Sequence, residues 1–248
     1  MNKQDDAKDN NQRDQSDNQG GGQRVDLFSE LELELDAAVD PDLQLCLSMA
    51  EQGSKKAEQP TPPITLVRGY LNAEQQAVLM KEAQTYPLSR PEIQVFGQFH
   101  AIPRQQVWFG DSGCDYLYSG LFIRALPWPK YAHKLREKLT RDYGLTSNGV
   151  LVNRYADGKD CMGAHSDDEP EIAHGSHIAS ITLGATRDFV LKHKHSQTKY
   201  NISLHSGDLL IMHWPMQNDW LHSLPKRLKI KEPRWNYTFR QLIVNFHG

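Results

Sequence analysis

The sequence predicts an α+β fold whose β part is a sandwich or barrel. Two stretches carry helix start and stop signals, and both lie before residue 145. After them come only strand-like runs: VLVNRY, HIASITLG, DFVLKH, YNISLH, DLLIMH and YTFRQLIVN. Turn residues separate these runs at short intervals, as antiparallel strands require.

The elements follow in order. Residues 1–23 are mostly Asp, Asn, Gln and Gly. They cannot bury enough apolar surface to offset the entropy of ordering, so disorder is expected. Residues 24–50 mix apolar and acidic residues and leave room for a short amphipathic helix, broken at Asp40 and Pro41. EQGSKKAEQPTPP, residues 51–63, reads as a linker by its Gly, Ser and Pro content. The expected division is thus an acidic tail and linker over 1–60 and a folded domain over 61–248. ITLVRGYL reads as the first strand of that domain. Asn72 caps a helix expected to run to about Tyr86, where Pro87 ends it. Residues 93–124 read as short strands with turns at Gly97, Gly110, Gly113 and Gly120. A second helix, about 129–143, follows Pro129 and stops before Gly144. No internal repeat is visible.

Composition narrows the function. The net charge of −3 hides an asymmetry. Residues 1–60 carry six Lys/Arg against fourteen Asp/Glu, a net of −8, and the rest carries 22 against 17, a net of +5. A basic body fits an anionic partner such as nucleic acid, although +5 also suits ordinary solubility. The three cysteines, Cys46, Cys114 and Cys161, are odd in number and show no CxxC spacing, so no disulfide framework is expected. No apolar core of a signal peptide opens the chain, and no apolar run reaches the roughly 18–20 residues of a membrane span. A soluble cytoplasmic chain (nuclear in a eukaryote) is the expectation, as a monomer with no membrane partner. Val25-Asp26-Leu27-Phe28 looks a little like the peptide by which bacterial replication proteins bind the sliding clamp; an apolar staple on the domain surface is the simpler reading.

The chemistry is concentrated in LVNRYADGKDCMGAHSDD, residues 151–168. His165 and Asp167 stand two apart, a spacing that on a strand puts both side chains on one face. One imidazole and one carboxylate make two thirds of a 2-His-1-carboxylate site, the open arrangement that suits Fe(II). A lone HxD is weak, but here a Gly-containing turn precedes it, and His222 follows 57 residues later in WLHSLP. That gap suits a third ligand returning on a facing strand of a barrel. Such a site leaves three positions open, two for a bidentate 2-oxo acid and one for O2, unlike a closed four-ligand zinc site. The second carboxylate of the 2-oxo acid needs a cation, and arginine is a planar two-pronged donor. In RWNYTFR, Arg234, Asn236, Thr238 and Arg240 alternate onto one face, with Trp235, Tyr237 and Phe239 on the other. Four inward polar residues would be expensive in a dry core, so a co-substrate site is preferred over a solvated surface strand. Asn153 and Tyr155 share a face in the same way. His174, His177, His193, His195, His205 and His213 lack a partner at ligand spacing.

Read together, NRYxDGxDxxGxHxDDE, GSxIASxxLGATRDF, HSLP and RxNxTFR resemble the AlkB-type Fe(II)/2-oxoglutarate dioxygenases over about residues 64–247. The likeness is greatest to members that repair alkylated DNA bases, including those acting on duplexes. The resemblance implies a double-stranded β-helix (jelly-roll) core over about 148–248, with N-terminal helices and a nucleotide-recognition lid over about 88–125. It assigns His165, Asp167 and His222 to iron. It assigns Asn153, Tyr155, Arg234, Asn236, Thr238 and Arg240 to 2-oxoglutarate, with Arg234 on the distal carboxylate and Arg240 nearer the keto acid. It implies oxidative removal of N-methyl groups, as from N1-methyladenine and N3-methylcytosine, with release of formaldehyde, succinate and CO2. An RNA or protein demethylase of the same family, and an inactive DNA-binding module, remain as alternatives.

The segment VFGQFHAIPRQQVWFGDSG also resembles the duplex-acting relatives. A base must leave the stack to reach a buried iron, and an apolar wedge can fill the gap. Phe96, with Gly97 and Gln98, is the matching position for that wedge, against the plainer reading of a core Phe. Tyr116 and Tyr118 would contact the flipped base by stacking or hydrogen bonding. Asp168 could favour a cationic methylated base over its neutral parent. Arg104, Lys192, Lys194, Lys199 and Lys226 are candidate phosphate contacts.

Overall fold

The computed structural model describes residues 59–247 apart from Phe96 and Ser119. The expectations for the N-terminal tail, including Val25 to Phe28, lie outside the described residues. A six-stranded antiparallel sheet has the order β1-β12-β9-β14-β7-β4, and a four-stranded one the order β11-β10-β13-β8. In the large sheet the strands are β1 (Ile64–Val67), β4 (Gln105–Gly110), β7 (Gly149–Tyr155), β9 (Ile178–Gly184), β12 (Leu209–Met212) and β14 (Arg234–Arg240). In the small one they are β8 (Met162–His165), β10 (Arg187–His193), β11 (Lys199–Leu204) and β13 (Trp220–Leu224). Ile178, Leu210 and Met212 from the large sheet pack with Leu191, Leu204 and Trp220 from the small one. The two sheets thus face each other across one core, the jelly-roll arrangement.

Two hairpins make up the lid region. β2 (Glu92–Val95) pairs with β3 (Gln98–Ala101), and β5 (Tyr116–Tyr118) pairs with β6 (Leu121–Ile123). Val95 opposes Gln98 at the end of the β2–β3 ladder. Gly97 has φ of +79°, a left-handed value that a tight hairpin turn demands and glycine adopts freely.

Helix α1 (Ala73–Ala83) starts with a capping box: Asn72 Oδ1 accepts the Gln75 N–H, and the Gln75 side chain accepts the Asn72 N–H. It stops three residues before the expected Tyr86, whose buried ring turns into the core edge-on to Phe109. Helix α2 (Lys130–Tyr143) has no side-chain cap of its own at Pro129. Glu82 of α1 supplies one, accepting the Tyr131 and Ala132 N–H groups at 2.9 and 3.1 Å. A third, short helix, α3, covers Met216–Asp219.

The last strand is shorter than expected. β14 ends at Arg240 because the Asn148 side chain takes both the N–H and the C=O of Leu242, at 2.7 and 2.8 Å. That removes the backbone groups a longer ladder would need.

Candidate active site

The site lies between the sheets. His165 closes β8, and His222 sits opposite it in register on β13. The two rings lie with centroids 4.2 Å apart. Asp167 Oδ1 is 3.5 Å from His165 Nε2 and 3.8 Å from His222 Nε2. One donor atom from each of the three lies within 4.8 Å of the others. Among the described residues this is the one such group.

Two details differ from the sequence expectation. His222 is on the neighbouring strand of the same sheet, not on a facing strand. Asp167 lies just past the end of β8, and its N–H is taken by Gln217 Oε1 at 3.0 Å instead of by a ladder partner. The i, i+2 pair therefore converges without both residues being on a strand.

The electrostatics prepare these donors for a cation. Burial pushes the Asp167 carboxyl upward, but Arg240 and then the two histidines hold it well below the usual carboxylate range. Burial pulls His222 down to about 3, helped by His165, so its ring is neutral. Burial also disfavours a charged His165, but Asp167 more than offsets this and raises its pKa. The His165 Nδ1 contacts the Gly163 carbonyl at 2.8 Å, which turns Nε2 toward Asp167. Asp167 Oδ1 has no aligned hydrogen-bond donor, although Arg240 Nη2 is 2.8 Å away. Two imidazoles and an ionised, incompletely satisfied carboxylate oxygen are a donor set that fits Fe(II).

Arg234, Asn236, Thr238 and Arg240 all line the cavity beside this triad, with Asn153 and Tyr155. Arg240 stands at the metal end, its Nη1 donating to the Tyr116 hydroxyl at 2.6 Å. Arg234 is further along β14, where Nη2 donates to Thr182 Oγ1 and Asn236 Oδ1, each at 2.9 Å. Burial lowers its pKa to about 10. Its guanidinium lies 5.5 Å from the Tyr155 ring centre. The 2OG-Fe(II) oxygenase superfamily model matches residues 63–240, which include every residue of this cavity and its triad. The chain belongs to that superfamily.

Relatives of the oxygenase sharpen this. It is 42% identical over 173 residues to the DNA oxidative demethylase ALKBH2 of Bos taurus, covering 66% of this chain and 62% of that one. Against the Homo sapiens protein of the same name identity is 42% over 174 residues, 67% of each chain. The human alpha-ketoglutarate-dependent dioxygenase alkB homolog 3 is 36% identical over 156 residues, covering 59% of this chain and 54% of that one. The oxygenase thus spans between half and two thirds of the length of these relatives. The structure of OsALKBH1 superposes with a TM-score of 0.52 over 74% of this chain and 100% of that one, at 18% identity. That likeness bears on the fold, and it agrees with the jelly-roll core.

The residues expected to meet substrate divide. Asp168 is exposed beside the buried Asp167. Gly97 and Gln98 are exposed at the β2–β3 turn. Phe96 and the side chain of Tyr118 lie outside the described residues. Tyr116 is fully buried and stacked on Trp108 with centroids 4.9 Å apart, so it offers the site its hydroxyl and not a ring face. Arg104 is a correction. It is 2% exposed, and its Nε donates to Asn153 Oδ1 at 2.9 Å. It orients a cavity residue and cannot reach a phosphate. Lys199 and Lys226 are exposed, and Lys192 lies directly across from Lys199 on β11.

Sequence reasoning missed four residues of this oxygenase. Gln217 holds the Asp167 backbone, and Glu169 accepts the Tyr116 hydroxyl proton. Glu171 is buried and accepts the Leu117 N–H of β5, and Phe99 is 68% exposed beside the hairpin turn. Only Glu169 and Phe99 carried a signal: they stand inside the motifs HxDDE and VFGQF but were given no role there.

Proposed function

We propose that the chain removes N-linked alkyl groups from bases in DNA, using Fe(II), O2 and 2-oxoglutarate. The observation that carries the reading is the His165–Asp167–His222 triad lining one cavity with two buried arginines. The names of the relatives supply the substrate class. Bound iron with 2-oxoglutarate supplies an O2-derived oxidant. 2-Oxoglutarate would lose CO2 and keep one oxygen atom as succinate, and the other oxygen would enter the N-methyl group, whose hydroxymethyl product would leave the base as formaldehyde.

The chain's own residues do the rest. Neutral His222 and ionised Asp167 hold the metal without first losing protons. Arg234, steadied by Thr182 and Asn236, binds the distal carboxylate of 2-oxoglutarate, while Arg240 fixes Asp167. Leu151, Phe189 and Met212 keep the cavity wall apolar and exclude water. Asp168, exposed next to Asp167, attracts a cationic methylated base more than its neutral parent. Lys192 opposite Lys199 is a like-charge pair that costs stability alone and is relieved by a phosphate. Phe96, as an apolar wedge, would fill the gap left by a flipped base. Val25 to Phe28, as a clamp-binding peptide, would bring the protein to replicating DNA.

The test is a duplex oligonucleotide with a single N1-methyladenine, incubated with Fe(II), 2-oxoglutarate and ascorbate and read by mass. Loss of one methyl group, dependent on both iron and 2-oxoglutarate, is expected, and His165→Ala should abolish it. Full activity in His165→Ala would sink the metal assignment. Succinate formation without methyl loss would move the substrate to RNA or protein.

A further inference from the structure

Acidic residues alternate along the chain that leaves the metal triad. Asp167 and Glu171 are 3% and 1% exposed, Glu169 between them is half-buried, and Asp168 and Pro170 face solvent. The segment turns at Pro170 and Glu171, where the Ile172 N–H donates to the Glu169 carbonyl at 3.0 Å, and the turn carries the Glu171 side chain inward. Each inward carboxylate has a different task. Asp167 belongs to the triad. Glu169 accepts the hydroxyl proton of Tyr116. Glu171 Oε1 accepts the backbone N–H of Leu117 at 2.8 Å. Two consecutive residues of lid strand β5 are therefore fastened to two alternate residues of the segment that begins with a metal ligand.

Glu171 has a third connection. Its Oε1 is 3.4 Å from His247 Nε2, and its carbonyl accepts the Ile243 N–H at 2.8 Å. The same C-terminal segment holds the start of the lid, since the Asn245 N–H donates to the Gly113 carbonyl at 2.8 Å. Glu171 Oε2 is buried without a hydrogen-bond partner. A carboxylate in such a place is costly for stability alone. A residue kept only for packing would be apolar here.

We propose that Glu171 is a positioning residue that ties the base-reading strand β5 to the segment following Asp167 and so holds that strand in the conformation a base needs to seat under the lid. Its substrate side rests on the proposed DNA reading; the tie itself does not.

Two variants test it. In Glu171→Ala the Leu117 amide loses its acceptor, and its hydrogen exchange should speed up at least roughly tenfold while amides in β7 and β14 keep their rates. Affinity for Fe(II) and 2-oxoglutarate, read from the visible band of the anaerobic complex, should stay within about twofold. KM for the methylated oligonucleotide should rise roughly tenfold, as expected for one buried hydrogen bond to a charged acceptor, with a smaller change in kcat. Glu171→Gln keeps an acceptor oxygen and should restore both slow exchange and most of the KM. Unchanged Leu117 exchange in Glu171→Ala overturns the proposal. So does a parallel loss of iron binding, 2-oxoglutarate binding and melting temperature that Glu171→Gln fails to rescue, which marks a merely structural residue. Should the wild-type protein leave methylated DNA intact, the functional reading fails while the exchange rates still decide the tie.

Discussion

Arg234 is a buried cation with no carboxylate beside it among the described residues; its Nη2 is held by a hydroxyl and an amide oxygen, and its Nε has no partner. Such a group is poised for an anion, and its lowered pKa records the cost of waiting. Arg234→Lys should therefore raise KM for 2-oxoglutarate roughly ten- to hundredfold, the loss of one charge-assisted two-pronged contact, with kcat less affected. An unchanged KM would remove Arg234 from the co-substrate site. Arg240 is different, because Asp167 beside it raises its pKa and it serves the metal end. The two histidines also differ. A metal ligand must be unprotonated, so each competing proton weakens binding. His222 is depressed to about 3 and does not compete at working pH. His165 is raised above 6.5, so it takes up its proton as pH falls through that raised value. Fe(II) affinity of the metal-free protein should then fall about tenfold per pH unit below that point, a slope of one proton. A slope of two, measured by anaerobic titration between pH 8 and pH 5, would show that His222 titrates as well.

At the scale of elements, β7 is the hinge of the design, pairing with β14 on one side and β4 on the other. Its first residue, Gly149, leaves room for Trp108: a Cβ there would lie 2.2 Å from the indole. Trp108 is fully buried and stacked on Tyr116, so it cannot step aside. Gly149→Ala should cost about 1–3 kcal/mol by overpacking, lowering the melting temperature by a few degrees or more and disturbing the lid through Tyr116. A wild-type melting curve would refute this. The elements also show what was legible beforehand. RWNYTFR gave its two faces away because the side chains of a strand alternate strictly and both faces proved buried, one polar and one aromatic. HxD pointed to two residues that do converge with His222, but the strand that would justify the spacing ends at His165, because Gln217, 50 residues on, takes the Asp167 N–H. Arg104 looked like surface charge because its acceptor, Asn153, is 49 residues away. Glu171 was silent for the same reason, since its donor is a lid backbone 54 residues earlier. Local period and motif survive in a sequence; side-chain-to-backbone ties between distant elements do not.

At the scale of the whole molecule, charge is divided along the chain. Residues 1–60 carry a net of −8 and the remainder +5. Among the described residues the first strand begins at Ile64, and the Pro63 carbonyl is held by the His213 N–H at 3.0 Å. Removing residues 1–58 should therefore leave the melting temperature of the domain unchanged. It should not leave DNA binding unchanged. A phosphate backbone repels a net charge of −8 and attracts the +5 body. Both effects act through solvent and are screened beyond about 10 Å at 0.1 M salt. The shortened protein should bind a methylated duplex roughly three- to tenfold more tightly at low salt, with the gap narrowing as salt rises. Fluorescence anisotropy of a labelled duplex across a salt series measures both quantities at once. Weaker binding after the truncation would mean that the N-terminal residues contact the DNA themselves. A gain that persists in high salt would mean that they cover the binding surface through contacts other than charge. Only a gain that fades with salt fits a tail acting through its net charge.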